Sequence, residues 1–410
     1  MYGLPAAPQQ NAQNGYARSM HPLALSTTAH GRKHRWTVRS IVKLLRCNTL
    51  TDYHEDNINY RVADMFLRNY WYVAAFGHEV GRNLLARTIL GDKIVLYRTE
   101  GGSPIALANR CCHRQAPLSM GHLIGDTVEC GYHGLVFDTS GECVRVPGQK
   151  KIPPGAKVRK YPVAERWRWI WIWMGDPDLA DEALIPDHLY RYNDDPEWSC
   201  VEGYLHVKAD YMLLVDNLMD LSHETFLHSK TIGTVHVAET PAQVAQDNES
   251  VTVTRWMLDR PPPPIYDKSG GFSERGETVD RWQIVRFEPP SNCCLDVGVA
   301  TAGTGAPEGD RSNGISMRSL NFLTPETERS THYFWTFPRD YKLDDEEISQ
   351  LHAKGFQNTF TEDLVMLEAQ QEIIDAHEGQ PTVNINIDKT TMPVRRMVDK
   401  LLNEQELASI

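Results

Sequence analysis

An α+β fold in two parts, a small all-β domain followed by a larger antiparallel sheet with helices, is predicted by three features of the sequence. Short strand-and-turn runs fill residues 65–177, longer strand-like runs follow from 200 to 337, and a helical pattern spans 344–377. "MFLRNYWYVAAF" opens the first domain at Met65 with a sudden density of aromatic and aliphatic residues. "RTIL" and "KIVLY" flank Gly91-Asp92, a strong hairpin pair, and "IALAN" follows Gly101-Gly102. In "RWRWIWIWMG" the alternation sets Trp167, Trp169, Trp171 and Trp173 on one face of a strand and Ile170 and Ile172 on the other. This reads as a core strand rather than a binding platform.

The acidic linker "DPDLADEALIPD" leads into the second domain, residues 178–410. Its strand-like runs are "CVEGYLHV", "SVTVTRWML", "RWQIVRF", "GISMRSLNFLT" and "THYFWTF". Pro261 to Pro264 and "KSGGFSERGE" predict an exposed loop between strands. The closing helix has Asp344 as its expected cap and Ile348, Leu351, Phe356, Phe360, Leu364 and Leu367 as its apolar stripe. No internal repeat is visible.

Residues 1–64 differ in texture, with a start rich in Gln, Asn, Ala and Pro and eight Lys/Arg against four Asp/Glu. They predict a disordered N-terminal extension, although "WTVRSIVKLLRC" has the pattern of a short amphipathic helix. At 410 residues with 41% hydrophobic content the chain can fill two ordinary cores, and its charge of −12 argues against a nucleic-acid binder. Small-molecule chemistry is the better expectation. No apolar run reaches membrane-spanning length, and "HPLALSTTAHG" lacks the charged leader and apolar core of a signal, so a cytoplasmic protein is expected. Eight scattered cysteines make no disulfide framework and stay available to metal in a reducing compartment. Cys47, Cys143, Cys200, Cys293 and Cys294 read as small core or surface residues, and Cys112 as a bystander beside Cys111.

Chemistry concentrates in two places. The first is C-x-H (Cys111, His113) followed after sixteen residues by C-x2-H (Cys130, His133), with Gly121 and Gly125 positioned to turn the chain back. Two cysteines and two histidines would also satisfy zinc, but zinc modules usually begin with a C-x2-C hairpin and end with paired histidines. One thiolate and one imidazole per loop instead allow the cysteines to take one iron and the histidines the other in a Rieske-type [2Fe-2S] cluster, whose neutral imidazoles raise the potential. Glycines in "CGYHGLVFD" let the backbone approach the cluster, and Tyr132 offers a hydroxyl donor.

The second place is "DYMLLVDNLMDLSHETFLHSK". His223 and His228 are five apart, which on an unbroken helix would separate them by about 140°, so the helix is expected to end or widen between them. Asp220 lies three residues before His223 and strengthens the reading. Oxygen-activating mononuclear iron takes two histidines and one carboxylate on one face, leaving other positions open. Candidates for the carboxylate are Asp363, Glu362 and Glu368 on the closing helix, and chemistry alone prefers none of them.

With these motifs the chain resembles the Rieske non-heme iron oxygenases, in the group of vanillate O-demethylase oxygenase and dicamba monooxygenase. The resemblance covers about residues 65–410 and rests on "CCHRQAPLSMGHLIGDTVECGYHGLVFDTSGECVRVPGQ", "DNLMDLSHETFLH", "LTPETERSTHYFW" and "EDLVMLEAQQ". It implies a catalytic domain of the helix-grip type, cluster ligands Cys111, His113, Cys130 and His133, and iron ligands His223, His228 and Asp363. Asn217 and Asp220 match the pattern before the first histidine, and Asp220 is implied to bridge the iron site to a cluster histidine of the neighbouring subunit in a homotrimer. Residues 1–64 have no counterpart in that pattern.

The chain has no flavin or nicotinamide fingerprint, so electrons are expected from a separate flavin- and ferredoxin-containing reductase that uses NADH or NADPH. The expected reaction is O2-dependent O-demethylation or N-dealkylation of a small aromatic substrate with release of formaldehyde. Ring cis-dihydroxylation is the alternative with the same metals, and a Rieske-type electron carrier or a zinc-binding module is the alternative without oxygenase activity. The strands carrying Asp296, Asn321 and His332 are expected to wall the pocket.

Overall fold

The Trp-Ile alternation is the seam of the molecule. The computed structural model describes residues 65–186, 190–229 and 232–408, so the readings made for residues 1–64 lie outside it. The all-β domain runs β1 (Trp71–Phe76), β2 (Leu85–Ile89), β3 (Asp92–Arg98), β4 (Pro104–Ala108), β5 (His122–Ile124) and β6 (Thr127–Glu129). It continues through β7 (Val136–Phe137), β8 (Cys143–Arg145), β9 (Lys160–Tyr161), β10 (Val163–Arg166) and β11 (Trp169–Trp173). Three antiparallel sheets result, ordered β1-β11-β10, β2-β3-β4-β9 and β5-β6-β7-β8. The β2–β3 turn is Leu90-Gly91, one residue earlier than expected, and both have positive φ (49° and 79°). That is the geometry a two-residue hairpin loop needs.

The second domain is built on a seven-stranded antiparallel sheet: β12 (Ser199–Val207), β13 (Gln243–Gln246), β14 (Val251–Arg260), β15 (Val279–Glu288), β16 (Asn292–Thr301), β17 (Gly314–Thr327) and β18 (Ser330–Arg339), in the order β12-β18-β17-β16-β15-β14-β13. Helices α1 (Tyr211–Met219), α2 (Glu224–Leu227), α3 (Val235–Glu239), α4 (Pro264–Gly270), α5 (Glu346–Ala376) and α6 (Met392–Ala408) complete it. Antiparallel strands present alternate residues to opposite faces. Odd-numbered residues of β15 and β18, such as Val285, Tyr333 and Trp335, join the main core, which also takes Phe356, Phe360 and Leu367 of α5. Phe337 of β18 stacks on Phe356 of α5 at 3.5 Å, fixing the long helix to the sheet.

Several expectations shift. Asp345, not Asp344, caps α5 by accepting from the Ile348 N–H. The buried stripe takes His352 in place of Leu351, which is exposed. The proline-glycine segment at 261–276 is not a bare loop, because Pro264 starts α4 and Tyr266 and Phe272 are buried. Polar β13 has no hydrophobic alternation to announce it.

The two domains meet on the tryptophan face. Trp169, Trp171 and Trp173 pack with Trp71 and Phe76 of their own domain and with Leu320, Phe322 and Phe334 from the outer face of the large sheet, while Ile170 and Ile172 face the main core. Trp167 packs half-buried against the edge of the same cluster. It sits in the β10–β11 turn with φ 52° because the chain must reverse there. A bulge in β1 after Val73 resets its alternation, so Val73 and Phe76 both reach the tryptophan side. Polar bonds then fix the junction: the Leu90 and Gly91 N–H groups donate to the carbonyls of Pro325 and Glu326, and Thr324 Oγ1 donates to the Val73 carbonyl. Replacing Trp169 by Ala removes a fully buried ring from the seam and should cost about 3–5 kcal/mol. Guanidinium unfolding followed by tryptophan fluorescence measures this, and a loss under about 1 kcal/mol would contradict the seam as a stabilising contact.

Candidate metal centres and substrate cavity

The cluster loops are two copies of one backbone design. Cys111 N–H donates to the Ala116 carbonyl and Gln115 N–H to the Cys111 carbonyl; Cys130 N–H donates to Leu135 and Gly134 N–H to Cys130 in the same way. Each loop therefore turns its cysteine inward and carries its histidine outward. Cys111 and Cys130 are buried, whereas His113 and His133 are exposed with ring centroids 4.6 Å apart. Burial pushes the Cys111 thiol up to about 11, and neighbouring Cys130 adds to the shift. A thiol in that environment ionises readily only with a metal cation against it. The donor chemistry fits a [2Fe-2S] cluster, with sulfur on its inner side and imidazole on its outer side.

Gly125 turns the chain back between β5 and β6 at φ 53°, as expected, and two other glycines act through their small size. A Cβ on Gly131 would stand 2.7 Å from the Met120 carbonyl oxygen, and one on Gly121 2.0 Å from that of Glu129. Both glycines let the second loop press on the segment that follows the first. The Tyr132 ring packs against His133 with centroids 3.9 Å apart and is itself exposed. Cys112 is exposed, whereas Cys111 and Cys130 are buried.

The second donor set is assembled from α1, α2 and α5. Helix α1 ends at Met219, a 3-10 turn spans Leu221–His223, and His228 caps the one-turn α2. Helix α1 thus breaks before His223, α2 ends at Leu227 between the histidines as expected, and the two rings come to 5.1 Å. Asp363 lies on the buried stripe of α5 between Phe360 and Leu367. Its Oδ1 is 3.0 Å from His228 Nε2 and 3.4 Å from His223 Nε2. Among the described residues, His223, His228 and Asp363 are the group whose donor atoms all fall within 4.8 Å, and two imidazoles with one carboxylate fit a mononuclear iron. The two histidines hold the Asp363 carboxyl down at about 2 against the opposing effect of burial. Burial lowers both imidazoles, but the bond and charge of Asp363 outweigh it, leaving them raised.

Partners orient each donor. Asn217 Nδ2 donates to Asp363 Oδ1 at 2.9 Å, and Glu362 Oε2 accepts from His228 Nδ1 at 2.7 Å. Glu362 therefore supports His228 and is not among the three residues whose donor atoms converge. Glu368 is committed elsewhere, accepting from the Lys208 N–H. Asp220 differs from expectation: its backbone carbonyl, not its carboxylate, accepts from His223 Nδ1 at 2.6 Å, and the carboxylate takes the Ser222 N–H and hydroxyl.

Beside this set lies a narrow cavity of about 60 Å³. Leu295, Val297, Met317, Phe337, Phe356 and Phe360 supply its apolar wall. The strands expected to wall the pocket do so, but through neighbours of the named residues. Asp296 faces the other side of β16, where it binds Arg311, Arg318 and Trp282. Asn321 is fully buried and accepts from Tyr333, and His332 bridges Tyr204 and the Thr88 carbonyl at the domain junction. Sequence reading missed Tyr266, Arg281, Gln283 and Glu224, which also line the cavity. A signal existed for Arg281 and Gln283: they occupy the same odd-numbered positions of β15 as core residues Val279, Val285 and Phe287.

Electron storage on one domain and a donor set with open positions on the other is the division of labour of iron-dependent oxygenases fed by a Rieske-type relay. Residues 70–162 match the Rieske [2Fe-2S] domain, and residues 207–404 match the vanillate O-demethylase oxygenase C-terminal domain. A toluene-4-sulfonate monooxygenase system iron-sulfur subunit from Comamonas testosteroni is 41% identical, the match covering 83% of this chain and 98% of the relative. A vanillate O-demethylase oxygenase subunit from Pseudomonas sp. strain HR199 is 38% identical over 84% and 97%. Dicamba monooxygenase bound to dicamba superposes with a TM-score of 0.75 at 34% identity, over 83% of this chain and 99% of that one. The chain belongs to the Rieske non-heme iron oxygenases, in the vanillate O-demethylase oxygenase group. It is an enzyme with a [2Fe-2S] cluster and a mononuclear iron, not a lone electron carrier or a zinc module.

Asp363→Ala should lower iron from about three to about two atoms per chain while leaving the visible spectrum of the cluster intact. Glu362→Gln should weaken mononuclear iron binding about 10- to 100-fold without abolishing it. Metal analysis after graded chelation separates the two, and loss of the cluster in either variant would contradict the division into two centres.

Proposed function

We propose that this chain is the terminal oxygenase of a multicomponent system that O-demethylates, or N-dealkylates, a substituted aromatic compound and releases formaldehyde. The observation that carries this reading is the apolar, phenylalanine-lined cavity that shares Asp363, His223 and His228 with the candidate iron site. Its walls suit a flat ring held beside an open metal position. The relatives are named for vanillate, toluene-4-sulfonate and dicamba, all substituted aromatics, and two of those names denote a subunit of a larger assembly. Electrons come from a separate NAD(P)H-dependent reductase, in a cytoplasmic setting that supplies the nucleotide.

Cys111, Cys130, His113 and His133 are read as holding the cluster, and His223, His228 and Asp363 as holding the iron. When bound, the cluster supplies single electrons and the iron activates dioxygen beside the substrate. The chain's own residues set the conditions for that chemistry. Glu362 and the Asp220 carbonyl each accept from the Nδ1 of a histidine, which leaves both Nε2 lone pairs directed at the metal position. Asn217 holds Asp363 by one oxygen and so limits its rotation. Apolar walls exclude bulk water from the ring and leave the alkyl group as the oxidisable part. Hydroxylation of a methoxy carbon gives a hemiacetal, which breaks at its C–O bond to the phenol and formaldehyde.

In the proposed homotrimer, Asp220 links this site to a cluster histidine of a neighbouring chain. The half-exposed position of Asp220 and the exposed rings of His113 and His133 support such a reach. A second reading is hydroxylation of an aryl methyl group that stays attached, favoured by the similarity to the toluene-4-sulfonate enzyme.

With a generic reductase, methoxy- or N-alkyl-aromatics should release formaldehyde in proportion to the NADH consumed. A benzylic alcohol without formaldehyde would establish the second reading, and a cis-diol would overturn both in favour of ring dihydroxylation. Asp220→Asn should keep cluster and iron yet lose about 100-fold or more of turnover. Mixed trimers with cluster-defective His133→Ala chains should recover part of it, whereas verified mixed trimers without activity would count against the bridge.

A further inference from the structure

One cation is buried in the cavity wall, and most of its hydrogen-bonding capacity is unused. Arg281 of β15 is 4% exposed, and among the described residues that line the cavity it is the one Lys or Arg. Nη2 donates to Glu224 Oε2 at 3.0 Å, while Nε and Nη1 have no acceptor. Glu224 makes no second bond to the guanidinium, and its other oxygen accepts from Gln283 Nε2 at 2.9 Å. The Tyr266 ring lies 5.8 Å from the guanidinium carbon, and Gln283 in turn accepts from buried Arg255. Arg281 is thus held by one carboxylate and one aromatic neighbour, with two nitrogens left over.

A guanidinium removed from water needs acceptors for its N–H groups, and buried charged donors without them are strongly disfavoured. The other strongly buried arginine with an orphaned nitrogen, Arg339, meets that need with the carbonyls of Tyr341 and Lys342 and the Ser349 hydroxyl, and it does not line the cavity. At Arg281 the missing acceptor has a place to come from, since the residue borders the space where substrate would sit. Gln283 beside it adds a polar contact, and Ser319 and Thr359 are further polar groups of the lining that could meet a substrate.

We infer that Arg281 is the anchor for an oxyanion on the substrate, a carboxylate or sulfonate borne by the aromatic ring, with Glu224 and Tyr266 as the residues that position it. The inference rests on the oxygenase reading of this cavity and deepens it by naming the charged group that selects the substrate. An oxyanion gives Arg281 its missing acceptor in a low-dielectric site, where a charge-assisted bond is stronger than in water. A neutral analogue of the same shape leaves the cation unpaired, and polar sites of this kind discriminate steeply against such analogues.

The test measures binding to the iron-loaded trimeric or native enzyme by calorimetry, so it does not depend on turnover. The probes are methoxy- and methyl-substituted benzoates, the matching benzenesulfonates and the matching neutral benzamides. Wild type should bind the best anion at least about 10-fold more tightly than its amide. Arg281→Gln should weaken that anion about 100-fold while leaving the amide within about 3-fold, and Arg281→Lys should fall between. Since Arg281→Gln leaves Glu224 buried with one partner fewer and can unfold the chain, the double variant Glu224→Gln with Arg281→Gln removes both charges together and should show the same loss. Tighter binding of benzoates or of benzenesulfonates identifies which oxyanion the site takes, and either order supports the anchor. Equal affinity of wild type for anions and amides, or an anion affinity unchanged in a folded variant, overturns it. Anion binding that depends on Arg281 but yields no oxidised product would keep the anchor and sink the demethylase reading instead.

Discussion

A carboxylate buried in an apolar helix stripe must find positive or donating partners, and Asp363 imposes that requirement on the whole catalytic domain. It is 5% exposed between Phe360 and Leu367 on α5, and its partners are His223, His228 and Asn217. None of these comes from α5. Helix α1 must therefore end at Met219 so that the following turn can deliver His223, and α2 must stop after one turn so that His228 can cap it. An uncompensated buried charge costs several kcal/mol. The break in the helix is thus tied to the donor geometry rather than to local propensity.

Around this centre the acidic residues divide the work. Glu362, adjacent to Asp363 but on the next face of α5, turns toward His228 Nδ1. Glu224, adjacent to His223, turns toward β15 and joins Arg281 and Gln283. Glu368 and Gln371, one and two turns further along α5, accept from the backbone N–H groups of Lys208 and Asp210 just ahead of α1. Those two bonds hold the long helix against the start of the shorter one, so the faces that carry the donors keep their spacing.

Rigidity is supplied from behind by the tryptophan seam. Trp169 and Trp171 bring the Rieske domain against the outer face of β17 and β18, whose inner face carries Met317, Ser319 and Phe337 of the cavity. Close-packed interiors have low compressibility, so a seam filled on the outer face holds the inner face in place. His113 and His133 of the cluster loops stay exposed, while the cavity lies against the inner face of the large sheet.

The sequence by itself determined the two-domain order, the identity of the family and the paired loops at Cys111–His113 and Cys130–His133, because those ligands lie within a few residues of one another and their spacing is a local property. It also showed the tryptophan strand as core, since period-two alternation survives in the one-dimensional pattern. Residue chemistry left Asp363, Glu362 and Glu368 equal and the resemblance pointed to Asp363, but only the tertiary structure showed which face of α5 meets a histidine 135 residues earlier in the chain. It likewise turned Asp296 away from the cavity and brought Arg281 into it, because neighbouring strands decide which side of a strand is inward. Contacts between distant segments are set by packing of whole faces, and no short motif records them.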